Sequence, residues 1–141
     1  MNADLFSLES TLRCAAVGQL FVAALNLCLV RLMGWQHDLA RLPLLPREVF
    51  HVHSWFISFT LAIFAALTWR FAGEMAGGDS RIARWLCGAI GIFWGFRAVL
   101  QWSYYSHEHW RARRAFAALH WLLFLSYGGL AAVYLRAGLQ P

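Results

Sequence analysis

Arg97 is the one charged residue in a long apolar stretch of the chain, residues 85–106. Gln101, Tyr104 and Glu108 follow it at spacings of four, seven and eleven. On a helix these spacings place all four side chains on one face. A guanidinium offers a planar pair of donors that fits carboxylate, phosphate or carbonyl oxygens. This polar line therefore predicts a site for an anionic or carbonyl head group.

The other apolar stretches carry polar side chains as well. Asn26 lies in the first, His53 in the second, and His120 with Tyr127 seven residues later in the fourth. Apolar surroundings cannot satisfy such groups, so we expect them to face the interior of the fold. The predicted ligand-binding residues are Arg97, Gln101, His53, His120, Asn26, Tyr104, Tyr105 and Tyr127. Their types and spacing identify no reaction, so the catalytic residues, if the protein is an enzyme, are not assigned.

The composition is that of a membrane protein. Of the 141 residues, 60% are hydrophobic and 13% are charged, whereas a soluble domain carries roughly 25% charged residues. The basic residues are all arginine, and most of them flank the apolar stretches. Such arginines are typical of membrane boundaries, and no basic stripe interleaved with aromatics lies elsewhere. We therefore predict the lipid bilayer as a partner and no nucleic acid.

Four apolar stretches are long enough to cross a bilayer, which takes about 20 helical residues. The predicted spans are residues 12–33, 49–70, 84–106 and 115–136. Short links between them favour antiparallel neighbours. The predicted fold is an all-α integral membrane protein, an antiparallel four-helix bundle that forms a single transmembrane domain over residues 1–141.

Proline and glycine predict two finer features. Pro43 and Pro46 in the first link favour an extended segment, because proline ends helices. Gly88, Gly91 and Gly95 lie on a face of the third span away from the polar line. Small residues on one face predict the close approach of another helix.

Antiparallel spans also predict a common depth for the polar residues. The ends of the first and third spans lie level with the starts of the second and fourth. Asn26, His53, Gln101 and His120 then fall within one or two turns of the same membrane surface. Arg97 lies deeper, about 13 Å before the predicted end of its span. We therefore predict a half-buried polar pocket that opens toward this surface.

Four functions are compatible with such a pocket. The leading hypothesis is a binding module for an amphipathic lipid or quinone-like ligand, with its head on Arg97 and Gln101. The second is a b-type haem or redox protein with His53 and His120 as axial ligands. The third is an intramembrane enzyme, with His53 or His120 as acid or base and Arg97 stabilising negative charge. The fourth is a structural or assembly subunit, in an oligomer or a larger membrane complex. No other metal site is predicted, because acidic ligands are missing at that depth.

Two segments resemble a known kind of protein. Residues 47–57 (REVFHVHSWFI) and 96–106 (FRAVLQWSYYS) are similar to segments of small bacterial four-helix membrane proteins without assigned function. The resemblance extends over most of the chain and implies a multi-pass protein of the cell inner (plasma) membrane. It also implies an inward polar set of His53, Arg97, Gln101 and His120, and it implies no activity.

Overall fold

The computed structural model describes residues 7–104 and 114–140. Within these residues the chain forms five helices and no strand, which confirms the predicted all-α class. The helices are α1 (Leu8–Leu32), α2 (Gln36–Ala40), α3 (Leu44–Gly77), α4 (Arg81–Ser103) and α5 (Arg114–Gly138). The chain divides into an N-terminal unit, Arg13–Arg70, and a C-terminal unit, Met1–Leu12 with Phe71–Pro141. Helix packing within each unit is consistent with a helical bundle, and the single domain stays a prediction.

Four helices are long and apolar enough to cross a membrane. They are α1, α3, α4 and the part of α5 from Ala117 to Gly138. Large apolar side chains on these helices are open to the surroundings, with Phe21, Phe59 and Leu125 65–67% exposed. Apolar area on this scale favours lipid over water as the surrounding medium. The chain is therefore a helical, multi-pass membrane protein.

Local chemistry specifies where helices begin and end. α1 ends before Gly34, whose φ of +71° is left-handed, and the Trp35 N–H then donates to the Val30 carbonyl at 2.9 Å. α4 begins after Ser80, whose hydroxyl oxygen accepts a hydrogen bond from the Ala83 N–H at 3.3 Å. Each interaction satisfies a backbone group that the helix itself leaves without a partner.

The prediction of an extended first link is wrong. α2 occupies part of the link, and α3 already begins at Leu44. Pro46 lies in the first turn of α3, where its missing N–H would have no helical acceptor. At its other end α3 continues past Phe71, a non-helical residue (φ −111°, ψ 18°), to Gly77. Its 34 residues correspond to about 51 Å, longer than the roughly 30 Å hydrocarbon core.

In the N-terminal unit, Asn26 connects α1 to α3. Its amide donates to the Ser54 carbonyl at 3.0 Å and to the Ser58 hydroxyl oxygen at 2.9 Å. At the other end of the pair, the guanidinium carbon of Arg13 lies 5.7 Å from the Trp69 ring centroid. The end of α1 therefore meets the start of α3, and the two helices run antiparallel.

Replacing Asn26 with leucine is expected to lower the free energy of unfolding by about 0.6 kcal/mol, and by no more than about 1.7 kcal/mol, because interhelical hydrogen bonds in membranes are modest. Thermal unfolding in detergent measures the change. Thr60→Val is the matched control, since the Thr60 hydroxyl donates to the Phe56 carbonyl of its own helix. Equal losses in both variants would contradict a specific interhelical contribution.

In the C-terminal unit, α4 and α5 pack closely against each other. A Cβ placed on Gly91 would lie 2.9 Å from the Leu135 side chain, and one on Gly95 would lie 3.9 Å from the Ala131 Cβ. A later residue of α4 thus contacts an earlier residue of α5, so these two helices are antiparallel as well. Gly91 and Gly95 therefore lie against α5, as predicted for the glycine face of the third span. The polar line is not on a separate face, because Gln101 belongs to the same buried side of α4 as Gly91.

Candidate functional site

The buried stripe of α4 determines which of its side chains meet α5. The stripe consists of Ala83, Cys87, Ile90, Gly91, Trp94, Ala98 and Gln101. Steps of three and four residues keep it on one helical face. Arg97 is half-buried and lies beside this stripe, one turn before Gln101. α4 therefore brings an intramembrane cation to the edge of its contact with α5.

Arg97, Gln101 and His120 form a hydrogen-bonded chain across this contact. The Arg97 Nη1 donates to the Gln101 Oε1 at 3.1 Å, and the Gln101 Nε2 lies 2.9 Å from the His120 Nδ1. Gln101 is 1% exposed and His120 is 5% exposed. The Arg97 guanidinium carbon also lies 4.7 Å from the Tyr127 ring centroid, within cation–π range. These four predicted ligand-binding residues meet at one place, which we call the Arg97 site.

The hydrogen-bonded chain has a defined polarity. Arginine can only donate, so the oxygen of the Gln101 amide must face Arg97. The amide NH₂ therefore faces His120 and donates to its Nδ1. A histidine that accepts at Nδ1 is neutral and carries its ring proton on Nε2. The geometry thus assigns the Nε2–H tautomer to His120.

The Nε2–H tautomer of His120 is unfavourable for the haem alternative. An axial histidine gives iron a nitrogen lone pair, and its other ring nitrogen usually donates to the protein. In the Arg97 site the Nδ1 accepts instead and the Nε2 carries the proton. Ligation by His120 would require the Gln101 amide to turn over and lose its bond from Arg97. The second haem ligand, His53, lies in the N-terminal unit, and the pairing of the two histidines stays a prediction.

Arg97 carries an energetic cost that its neighbours offset in part. α4 continues only to Ser103, about 9 Å beyond Arg97. A guanidinium at the centre of a span costs about 2.5–3.5 kcal/mol on insertion scales. The cation–π contact with Tyr127 contributes about 0.5–2 kcal/mol, and the bond to Gln101 contributes on the order of 1 kcal/mol. The site is positively charged, and oxygen-rich groups are its complementary ligands.

Trp94 also belongs to the site, although it is not among the residues predicted from the sequence. It is 1% exposed and stacks on Tyr127, with ring centroids 5.4 Å apart and an interplanar angle of 24°. Tyr127 therefore contacts both Trp94 and Arg97, and packing restrains its ring. The sequence spacing could have indicated this, because Trp94 precedes Arg97 by three residues and Gln101 by seven, which places it on the same face of α4.

The remaining predicted residues are not part of the Arg97 site as described. Tyr104 is 82% exposed at the end of α4, and Tyr105 and Glu108 lie outside the described residues. Asn26 belongs to the N-terminal unit, where its amide donates to α3. Its participation in one pocket with the Arg97 site stays a prediction.

Both histidines of α3 are exposed. His53 lines a shallow depression of about 390 Å³, together with Glu48, Val49, Val52 and Phe56. The His51 ring lies edge-on to Phe50, with centroids 5.9 Å apart. The prediction that His53 is the inward-facing histidine of the pair therefore gains no support from contacts within the N-terminal unit.

Neither metal-site geometry nor similarity to known proteins narrows the function. Within residues 7–104 and 114–140, no group of three or more His, Cys, Asp or Glu side chains is placed to hold a metal ion. No protein-family model matches the sequence, and neither a search of curated proteins nor one of solved structures finds a match. The four apolar helices are consistent with a small membrane protein, which is the coarse part of the resemblance described above.

Proposed function

We propose that this protein binds an amphipathic ligand inside the membrane, with the anionic or carbonyl head group of the ligand on Arg97, which the buried Gln101 amide positions. The ligand is lipid-like or quinone-like, and its apolar body lies along the spanning helices. One observation carries the proposal. A half-buried guanidinium lies within a spanning helix and is held there by Gln101 and Tyr127.

The arrangement of the Arg97 site supports binding because it is ordered before a ligand arrives. His120 holds the Gln101 amide, and Trp94 holds the Tyr127 ring. The guanidinium therefore loses little freedom when it binds an oxygen-rich head group, which lowers the ordering cost of association. The predicted spans contain no Asp or Glu, so the spans themselves supply no carboxylate for Arg97.

A second function, that of a structural or assembly subunit, is supported by the burial of Gln101 and His120. A buried hydrogen bond between helices fixes their register even where it adds little stability. In that case the Arg97 site would only align α4 with α5, and no small molecule would be required. The intramembrane-enzyme alternative stays a prediction.

The membrane that holds the protein belongs to the same proposal. The resemblance to bacterial four-helix proteins supports the cell inner (plasma) membrane. Separation of inner and outer membranes on a density gradient tests this assignment. Recovery of the protein outside the inner-membrane fraction would contradict it.

The binding proposal is tested by thermal unfolding of the full chain in a neutral detergent with three amphiphiles. Dodecanoate carries an anionic head, a decyl-substituted benzoquinone carries carbonyl oxygens, and dodecanol carries neither. Dodecanoate or the quinone is expected to raise Tm with concentration, because a ligand that binds only the folded state stabilises it by mass action. Dodecanol matches dodecanoate in chain length and is expected to leave Tm unchanged.

Gln101→Leu provides the matched variant for this experiment. It removes the amide that positions Arg97 and is expected to reduce the dodecanoate or quinone effect. Equal Tm shifts with dodecanoate, the quinone and dodecanol would indicate partition into the apolar surface. That outcome, or no shift with any of the three, would remove the binding proposal and favour the structural alternative.

A further inference from the structure

A second candidate site lies at the start of α4, in a groove of the C-terminal unit. The groove has a volume of about 480 Å³, and its lining residues are Arg81, Arg84, Trp85, Gly88 and Gly138. The four α4 residues share one helical face, because they follow one another at steps of three, one and three. Among the described residues, the lining has two guanidinium groups and no carboxylate.

The polar end of the groove is positively charged and partly ordered. The Arg84 Nη1 donates to the Gln140 carbonyl at 3.3 Å, which orients its guanidinium. Arg81 is the first residue of α4, so the positive end of the helix dipole lies beside both arginines. This end of the groove is therefore complementary to an anion such as a phosphate diester.

The glycines explain why the groove is open. A Cβ on Gly138 would lie 2.9 Å from the backbone nitrogen of Gly88, so α5 approaches the α4 backbone directly. A Cβ on Gly88 would meet nothing within 4 Å. The side of α4 toward which a Gly88 side chain would point is therefore empty, and a slender apolar group can lie there.

The groove also lies where lipid head groups are found. Ile82 is 81% exposed and Trp85 is 76% exposed, in the first turns of a spanning helix. Tryptophan near the end of a span is typical of the membrane–water interface. The arginines then lie at head-group level, and Gly88 lies about 10 Å beyond Arg81 and about 6 Å beyond Arg84, toward the acyl chains.

We propose that this groove binds an anionic phospholipid, with the lipid phosphate on Arg81 and Arg84 and the upper part of an acyl chain over Gly88 beside Trp85. The charged end of the groove selects the head group, and the apolar end favours a lipid over a free phosphate. This site uses none of the Arg97 site residues, so the two proposals stand or fall separately.

The test is binding of fluorescent dioleoyl phosphatidylglycerol to the purified full chain in neutral detergent, with dioleoyl phosphatidylcholine as the zwitterionic comparison. We expect the anionic lipid to bind more tightly than phosphatidylcholine. Arg81→Gln and Arg84→Gln are each expected to weaken phosphatidylglycerol binding about fivefold, and the double variant about 25-fold. Arg136→Gln is the matched control, because Arg136 lies in the last turn of α5 but does not line the groove.

Gly88→Leu tests the groove without a change of charge. Its side chain enters empty space, and leucine is a better helix former than glycine, so the fold is expected to survive. Phosphatidylglycerol binding is nevertheless expected to fall about tenfold or more, because the leucine occupies the path of the acyl chain. Gly18→Leu is the control, since a Cβ on Gly18 also meets nothing within 4 Å.

Three results would overturn the assignment. Equal binding of the two lipids by the wild-type chain would remove the preference for an anion. A loss in Arg136→Gln as large as that in Arg81→Gln would indicate a general surface charge effect. Displacement of the lipid by inorganic phosphate at millimolar concentration would show that the groove binds a free anion.

Discussion

Replacing Arg97 with leucine is expected to abolish the selective binding of dodecanoate or quinone while the helices stay folded. The substitution removes the charge that lies within the third span, and with it an insertion cost of about 2.5–3.5 kcal/mol. It also removes the bond to Gln101 and the contact with Tyr127. Together these two contacts stabilise the protein by about as much as the insertion of the charge costs. Thermal stability without ligand is therefore expected to change by no more than about 1–2 kcal/mol.

Arg97→Lys is expected to give a different result, because it keeps the charge and loses the planar fork. An ammonium group is a point charge that cannot present two parallel donors to one head group. Binding is expected to weaken about tenfold, with the fold intact. Measuring Tm and dodecanoate affinity for both variants separates the roles of charge and shape.

Arg13→Leu is the matched control for these variants. Arg13 also lies over an aromatic ring, that of Trp69, but in the N-terminal unit. Its removal is expected to leave ligand binding unchanged. Arg97→Leu could instead lower Tm strongly while the molecules that stay folded bind dodecanoate or the quinone as the wild type does. In that case Arg97 is a structural residue and the proposed function is wrong.

A side chain at Gly138 is expected to destabilise the C-terminal unit more than one at any of the α4 glycines. A Cβ there would lie 2.9 Å from the Gly88 nitrogen, 3.1 Å from the Arg84 carbonyl oxygen and 3.3 Å from the Gly88 Cα. These are all backbone atoms, so the two helices must separate to admit it. Gly138→Val is expected to lower the free energy of unfolding by about 1–3 kcal/mol, measured by thermal unfolding in detergent.

Glycines of α4 provide a graded comparison for this prediction. At Gly91 a Cβ would lie 2.9 Å from the Leu135 side chain and 3.1 Å from the Leu135 nitrogen. The side chain can rotate but the nitrogen cannot, so Gly91→Val is expected to cost less than Gly138→Val. Gly88→Val is expected to be close to neutral, because the added atoms enter open space. A loss at Gly88 as large as that at Gly138 would contradict the close approach of the two backbones.

The protein class and the residues of the Arg97 site follow largely from the sequence. An apolar stretch of about 20 residues must satisfy its backbone internally, so it forms a helix in a membrane whatever its neighbours are. The steps from Arg97 to Gln101, and from His120 to Tyr127, then set which side chains share a face. Periodicity therefore predicts two pairs that the structure brings together, Arg97 with Gln101 and His120 with Tyr127. It also placed Tyr104 on the Arg97 face, and Tyr104 is 82% exposed.

The first link and α3 show where sequence patterns mislead. Proline is unfavourable in the interior of a helix but acceptable in its first turn, so Pro46 alone cannot tell where α3 begins. The length of α3 has a similar origin, because the backbone absorbs an irregular residue at Phe71 and then continues as a helix. Both features depend on a few backbone angles that composition does not determine.

The sequence by itself determined four helices long and apolar enough to span a membrane, and a cation within the third. Only the tertiary structure decided the register of α4 against α5, and this register joins Gln101 to His120 and places Tyr127 under Arg97. Periodicity within one helix cannot supply this information, because register is set by the contact between two helices. Here the contact is set by the approach of Gly138 to Gly88 and of Leu135 to Gly91. The tautomer of His120 and the open groove beside Arg84 follow from that same approach.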